Sequence, residues 1–140
     1  MAHPMEVQVA ALCDFAADYG GKLCVVGVFD TVVAPSFPIK RAHCYIALRI
    51  LFRDDDRGRH LLKFSLIDED GCNLLPKLGG EMNVALPDHL FFLSTNVCLN
   101  LQGIEFKRPG QYSIDISVDD KMIARIPLQV VLLQPPPALA

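Results

Sequence analysis

Residues 109–128, PGQYSIDISVDDKMIARIPL, decide the fold. Apolar and polar side chains alternate along the first half of this stretch: Tyr112, Ile114, Ile116 and Val118 against Ser113, Asp115 and Ser117. A period of two places the apolar set on one face of a strand and the polar set on the other. The stretch therefore predicts a one-sided β-hairpin that turns at Asp119-Asp120.

The register of this hairpin follows from the requirement that both strands face one core. If Ile114 packs on the same side as Ile126, the numbers of paired residues must sum to an even value. Val118 then lies opposite Met122, and the loop is the three-residue segment 119–121 with a bulge.

Alternation dominates the rest of the sequence as well, and no window shows the 3.6-residue period of a long amphipathic helix. We predict an all-β protein, an immunoglobulin-like antiparallel β-sandwich of about eight strands. Tyr112, just after Pro109-Gly110, resembles the tyrosine corner of such sandwiches. Strands are expected at about 5–14, 22–33, 43–53, 61–68, 80–86, 91–102, 111–118 and 122–133.

The chain length of 140 residues fits one domain, which we place at 1–133, followed by a proline-rich tail at 134–140. The segment 34–38, APSFP, should cross between the sheets, because two prolines cannot donate to a central ladder. A net charge of -3 does not favour nucleic acid as a partner. No apolar run reaches the ~18 residues of a membrane span, and the first residues lack a signal peptide's pattern, so we expect a cytoplasmic protein.

The five cysteines form an odd set without C-x-x-C spacing, which predicts reduced, mostly buried thiols and neither a disulfide framework nor a zinc knuckle. His43 and Cys44 are neighbours on a strand and point to opposite faces, so they cannot form a nucleophile and base. Gly20-Gly21-Lys22 lacks the spacing of a phosphate-binding loop. We therefore expect no enzymatic activity and no cofactor.

The stretch 12–30, LCDFAADYGGKLCVVGVFD, predicts a hairpin whose two faces are both apolar. Such a hairpin is covered by another segment or by another chain. We therefore expect a homo-oligomer or a complex with a protein partner. The candidate interface residues are Ala10, Leu12, Cys24, Val26, Val28 and Val32.

An alternative function is metal binding at one end of the sandwich, where alternate loops would gather acidic residues and histidines. Carboxylates from several loops could bind calcium, and the two histidines could hold a transition metal in a hydrolytic site. Basic residues in the same loops, such as Arg57 and Lys121, can instead neutralise the carboxylates. The candidate ligands are Asp54, Asp55, Asp56, His60, Asp88, His89, Asp119 and Asp120.

Several short segments occur in a characteristic order: LCDFA at 12–16, GGKL at 20–23, DEDG at 68–71, PGQY at 109–112 and IPLQV at 126–130. Over nearly the whole chain this order resembles a bacterial family of small single-domain proteins of unknown function. Similar sequences often have Asp-Gly where this chain has Asp120-Lys121. The resemblance implies no activity and no site residues, so we expect a non-catalytic binding or assembly module.

Overall fold

The computed structural model describes residues 5–75 and 78–135, which form two packed β-sheets and confirm the predicted all-β sandwich. Most of the expected tail, 134–140, lies outside the described residues. Among the described residues, no helix is long and apolar enough to cross a membrane. The strands are β1 (Glu6–Tyr19), β2 (Lys22–Val28), β3 (Thr31–Ala34), β4 (Ile39–Phe52), β5 (Gly58–Ile67), β6 (Leu78–Val84), β7 (Leu93–Phe106), β8 (Gly110–Val118) and β9 (Lys121–Leu132), and a short 3₁₀ helix (Asp54–Asp56) precedes β5.

Sheet A has the strand order β2-β1-β4-β7 and is antiparallel throughout. Sheet B has the order β3-β9-β8-β5-β6, and its one parallel pair is β3 with β9. The segment 34–38 connects β3 in sheet B to β4 in sheet A, so it crosses between the sheets as predicted.

The strand expected at 22–33 is in fact two strands in different sheets. β2 ends at Val28, and the chain crosses to sheet B, where the Gln129 amide donates to the Asp30 carbonyl at 2.8 Å. The sequence does not show this break, because β2 and β3 are both apolar and differ only in the strands with which they pair. The structure therefore has nine described strands where about eight were expected.

The core lies between the sheets and is filled by the apolar faces that the alternation predicted. β4 contributes Cys44, Ile46, Leu48, Ile50 and Phe52, all of them buried. From sheet B, Leu62, Phe64 and Leu66 pack against them with Ile114 and Ile116. This core is complete within one chain, so the sandwich needs no partner to bury it.

The last hairpin differs from its predicted register only near its turn. Ile114 pairs with Ile126, as the even-sum rule requires, but Val118 pairs with Lys121 and not with Met122. The loop is the two residues Asp119 and Asp120, both with positive φ, and the irregularity lies between Ile116 and Ser117. Two left-handed residues match the tight turn that joins twisted strands, so the bulge moves into the strand.

Candidate functional site

Strand β1 is longer than its pairing with β4, and this difference creates the candidate site. β1 pairs with β4 only as far as Cys13, opposite Tyr45. Beyond that point its residues pair with β2 alone, from Cys13 opposite Val28 to Tyr19 opposite Lys22. We call this two-stranded projection, residues 13–28, the first hairpin.

The first hairpin folds back over the outer face of sheet A. Its turn residue Gly21 accepts hydrogen bonds on its carbonyl from Arg49 Nη1 at 3.1 Å and Asn96 Nδ2 at 3.2 Å. Arg49 lies on β4 and also donates to Asn96 Oδ1 at 2.7 Å and to Gln8 Oε1 at 2.8 Å. These bonds place the turn over the sheet face that points away from the core.

A second, small apolar cluster fills the space beneath the hairpin. The fully covered residues are Cys13, Ala16 and Ala47, and the half-buried side chains around them are Leu23, Val25, Tyr45 and Cys98. The small alanine side chains allow the hairpin to approach the sheet closely. One of the two apolar faces predicted for this hairpin is thus covered by its own sheet.

The bend at the base of the hairpin is held by Asp14, Gly27 and Arg41. Gly27 has a φ of 70°, and a Cβ there would lie 2.4 Å from Asp14 Oδ2, so the position suits only glycine. Arg41 Nη2 pairs with Asp14 Oδ1 at 3.1 Å, and its guanidinium lies 4.2 Å from the centre of the Phe29 ring. The carboxylate therefore links β1 to β4 across the bend.

The other face of the hairpin is apolar and exposed. We name Phe15, Cys24, Val26 and Val28 the hairpin outer face; Phe15 is 47% exposed, Val26 53% and Val28 66%. The register places Phe15 opposite Val26 and Cys13 opposite Val28, so the exposed valines lie side by side with Phe15. Phe15 is held by an edge-to-face contact with Tyr45, with ring centres 5.2 Å apart. The result is a preformed, contiguous apolar patch on an edge hairpin.

The six predicted interface residues differ in how far they are exposed. Cys24, Val26 and Val28 are exposed on the hairpin outer face, and Ala10 is half-buried beside the core. Leu12 and Val32 are buried in the core between the sheets. Val32 was misplaced because the chain changes sheets after Phe29, which breaks the parity that joined it to Val28.

Sequence reasoning missed a second exposed apolar feature in the loop before β7. It consists of Leu90, Phe91 and Phe92, and Phe91 is 90% exposed. The strand was expected to begin at 91 but begins at Leu93. The signal for this difference is Pro87-Asp88, because a turn there, closed by the Leu90 amide on the Pro87 carbonyl at 3.0 Å, delays the strand.

The residues proposed as metal ligands do not assemble into one site. Within 5–75 and 78–135, no three histidine, cysteine or acidic side chains form a group that could hold a metal ion. Asp54 pairs with Arg57 at 2.9 Å and Asp120 with Lys63 at 3.0 Å. The carboxylate of Asp56 accepts the Arg53 amide at 2.9 Å. The exposed residues Asp55, Asp88 and His89 take no part in these pairs.

Two of the proposed metal ligands, His60 and Asp119, contact each other. His60 Nδ1 lies 2.6 Å from Asp119 Oδ2, and His60 Nε2 lies 2.6 Å from the Asp56 carbonyl oxygen. Burial alone lowers the pKa of His60, but the hydrogen bonds to Asp119 and Asp56 outweigh it and raise the pKa above its ordinary value. An oxygen acceptor therefore lies beside each ring nitrogen of His60, which stabilises the protonated ring relative to a free histidine and occupies both nitrogens with partners from the chain itself.

The buried thiols are poor nucleophiles. Burial raises the pKa of Cys13, Cys44 and Cys98, which keeps them protonated at neutral pH. For Cys44 the neighbouring Arg41 opposes this shift without reversing it. Cys98, predicted to lie on a polar face, is half-buried beneath the first hairpin.

A family model matches residues 8–131, which is nearly all of the chain. The chain belongs to DUF6941, a family of unknown function. No curated protein matches it.

In this DUF6941 protein, two of the segments that carried the resemblance contact each other. Glu69 of DEDG accepts the Gln111 amide of PGQY at 2.7 Å, and Arg108 pairs with Asp70. Tyr112 donates from its hydroxyl to the Arg108 carbonyl at 2.8 Å, which confirms the tyrosine corner. These contacts hold the two loops together.

The bend predicts a specific cost for Gly27→Ala. An alanine there must adopt a left-handed conformation and displace the Asp14 carboxylate, so we expect a loss of at least about 1 kcal/mol in the free energy of unfolding. The control is Gly80→Ala, because Gly80 has no neighbour within 4 Å of an added Cβ. Urea unfolding of both variants at equal protein concentration measures the difference, and equal stabilities would contradict the account of the bend.

The His60 contact predicts a pH dependence of stability. Because the folded pKa is raised above 6.5, its contribution is complete below pH 6.5 and is lost as pH rises through the folded value. Asp119→Asn keeps an acceptor for the Leu61 amide but removes the charge. We expect this variant to lower the His60 pKa and flatten the unfolding free energy above pH 6.5. An unchanged NMR titration of His60 would refute this assignment.

Proposed function

We propose that this DUF6941 protein is a non-catalytic assembly module that self-associates through the hairpin outer face. The observation that carries the proposal is the exposure of Phe15, Val26 and Val28 on a hairpin whose other face is already covered. Phe15, Val26 and Val28 lie outside the main core cluster between the sheets, so burial of that core does not require them.

Hydrophobic burial provides the driving force for this association. Burying a fully exposed valine or phenylalanine contributes about 1.5 to 3 kcal/mol. The three apolar side chains of the hairpin outer face are 47% to 66% exposed, so each offers roughly half of that contribution. Phe15 is held in place by Tyr45, so little conformational entropy is lost when it is covered.

A second copy of the chain is the partner that the chemistry of this face favours. The four side chains of the hairpin outer face are uncharged, so two copies do not repel each other when the faces meet. Closed symmetric dimers bury the same patch on both subunits, and an uncharged apolar patch can meet its own copy without like-charge repulsion. The five free cysteines suit a reducing cytoplasm, where we place the protein.

The chemical groups support a non-catalytic role. His60 has a bonding partner at each ring nitrogen, and the buried thiols have raised pKa values. His43 and Cys44 occupy consecutive positions of β4, where Cys44 is buried and His43 exposed. None of these groups forms a nucleophile and base of the kind that hydrolases use.

Light scattering at micromolar concentration tests the proposal. We expect the native chain to have a mass at least twice 15.5 kDa and Val26→Lys to shift it toward the monomer, because a buried lysine costs several kcal/mol. The matched control is Met122→Lys, since Met122 is 52% exposed but lies on β9. A native mass of 15.5 kDa, or a Val26→Lys variant that keeps the native mass, would contradict the proposal.

A further inference from the structure

The bend of the first hairpin leaves the beginning of β4 without a neighbour on one side. β1 pairs with β4 only as far as Cys13, opposite Tyr45. The preceding residues of β4, 39–44, lie along β7, and no other described strand pairs with them. Sheet A therefore has a gap at this point, in the position that a straight β1 would fill.

A surface cleft of about 460 Å³ lies along this gap. One wall consists of residues 39–43, five consecutive positions of β4. The opposite wall is formed by Val32 and Val33 of β3, and Val33 is 53% exposed. Asp14, the first residue of β1 after its last β4 partner, also lines the cleft.

The cleft offers hydrogen-bonding groups of the backbone as well as side chains. In an antiparallel ladder, the N–H and C=O groups of every second residue point away from the paired strand. Alternate residues of 39–44 therefore direct these groups away from β7 and toward the gap. An extended segment can pair with such groups and add a strand, which is a common mode of peptide recognition.

The gap differs from the outer edges of the two sheets, which belong to β2, β7, β3 and β6. A strand added at an outer edge has one neighbour in its sheet. A segment in the gap also lies against β3 across the cleft. Contact on two sides adds side-chain packing to the backbone hydrogen bonds, and such packing provides the specificity of strand addition.

The charges that line the cleft favour an acidic occupant. They are Lys40, Arg41 and Asp14, and the Asp14 carboxylate already accepts a hydrogen bond from Arg41 Nη2 at 3.1 Å. Lys40 is exposed and makes no ion pair with any described residue, although Glu105 lies opposite it on β7. A carboxylate on a bound segment can therefore meet Lys40 without displacing an existing pair.

We propose that this cleft binds an extended segment of a partner protein that carries acidic side chains, and that the segment pairs with residues 39–44 of β4 as an additional strand. The inference goes beyond the proposed self-association, because the two surfaces are separate. None of the four residues of the hairpin outer face lines the cleft.

Residue-resolved NMR with a defined peptide tests this proposal. The probe is a short peptide of alternating glutamate and valine, and the comparison peptide has lysine in place of glutamate. We expect the glutamate peptide to shift the amide signals of 39–44 saturably and to slow hydrogen exchange at alternate amides of that segment. The lysine peptide should bind about tenfold more weakly, because it meets Lys40 with like charge.

Matched charge reversals locate the contact. Lys40→Glu should weaken binding of the glutamate peptide about fivefold, because an attraction at the protein surface becomes a repulsion. The control is Arg59→Glu, which makes the same change of charge at the other end of the sandwich. Arg59 follows the loop after β4, whereas Lys40 lies at the start of that strand. Equal affinities of the two variants would contradict the assignment of Lys40.

Three further outcomes would overturn the proposal. The first is the absence of a saturable shift in 39–44 with the glutamate peptide, and the second is equal binding of the two peptides. The third is protection at 31–34 in place of 39–44, which would put the added strand on β3. None of these outcomes bears on self-association, which light scattering tests separately.

Discussion

The contact of Asp14 with Gly27 and Arg41 is the constraint on which the position of the first hairpin depends. β1 continues past its last β4 partner, and without a fixed bend the additional residues would extend into solvent. Gly27 provides the left-handed backbone, and Asp14 occupies the space that a side chain there would fill. Arg41 ties that carboxylate to β4 while stacking on Phe29, so the direction of the hairpin is fixed from both strands.

The bend explains how one apolar face of the first hairpin is covered within the chain. Folding back places Ala16 and Val25 against Ala47 and Tyr45, so one face is satisfied within the chain. The same movement turns Phe15, Val26 and Val28 outward. A two-sided apolar hairpin thus becomes a small third layer with one covered and one free face. Hydrogen bonds from Arg49 and Asn96 to the Gly21 carbonyl hold the turn against the sheet.

The alternation of apolar and polar residues predicted the features of the fold that depend on local periodicity. The inner faces of β4, β5 and β8, the crossing at 34–38 and the tyrosine corner all follow from residue type and spacing, and the structure confirms them. The alternation gave a wrong strand where the chain changes sheets. Cys24 and Val32 are both even-numbered and were expected on one face of one strand, but they lie in different sheets. Sequence alone also could not show that Asp14 and Arg41 meet, since 27 residues separate them.

The candidate site was predictable in part for the same reason. Cys24, Val26 and Val28 were identified from the hairpin pattern, whereas Phe15 was not, because its exposure depends on how the hairpin folds over the sheet. For the acidic loops, the sequence suggested a site that the contacts in the structure do not support. Several aspartates at one end suggested metal binding, but charged neighbours and backbone amides occupy the carboxylates of Asp54, Asp56 and Asp120.

Methyl NMR with a soluble paramagnetic probe tests most directly whether the hairpin outer face is a docking surface. In a dilution series, we expect the Val26 and Val28 methyl signals to be protected at high concentration and attenuated on dilution. The Met122 methyl signal should be attenuated throughout, because Met122 is exposed on another strand. Attenuation of both valines at every concentration would contradict the central claim.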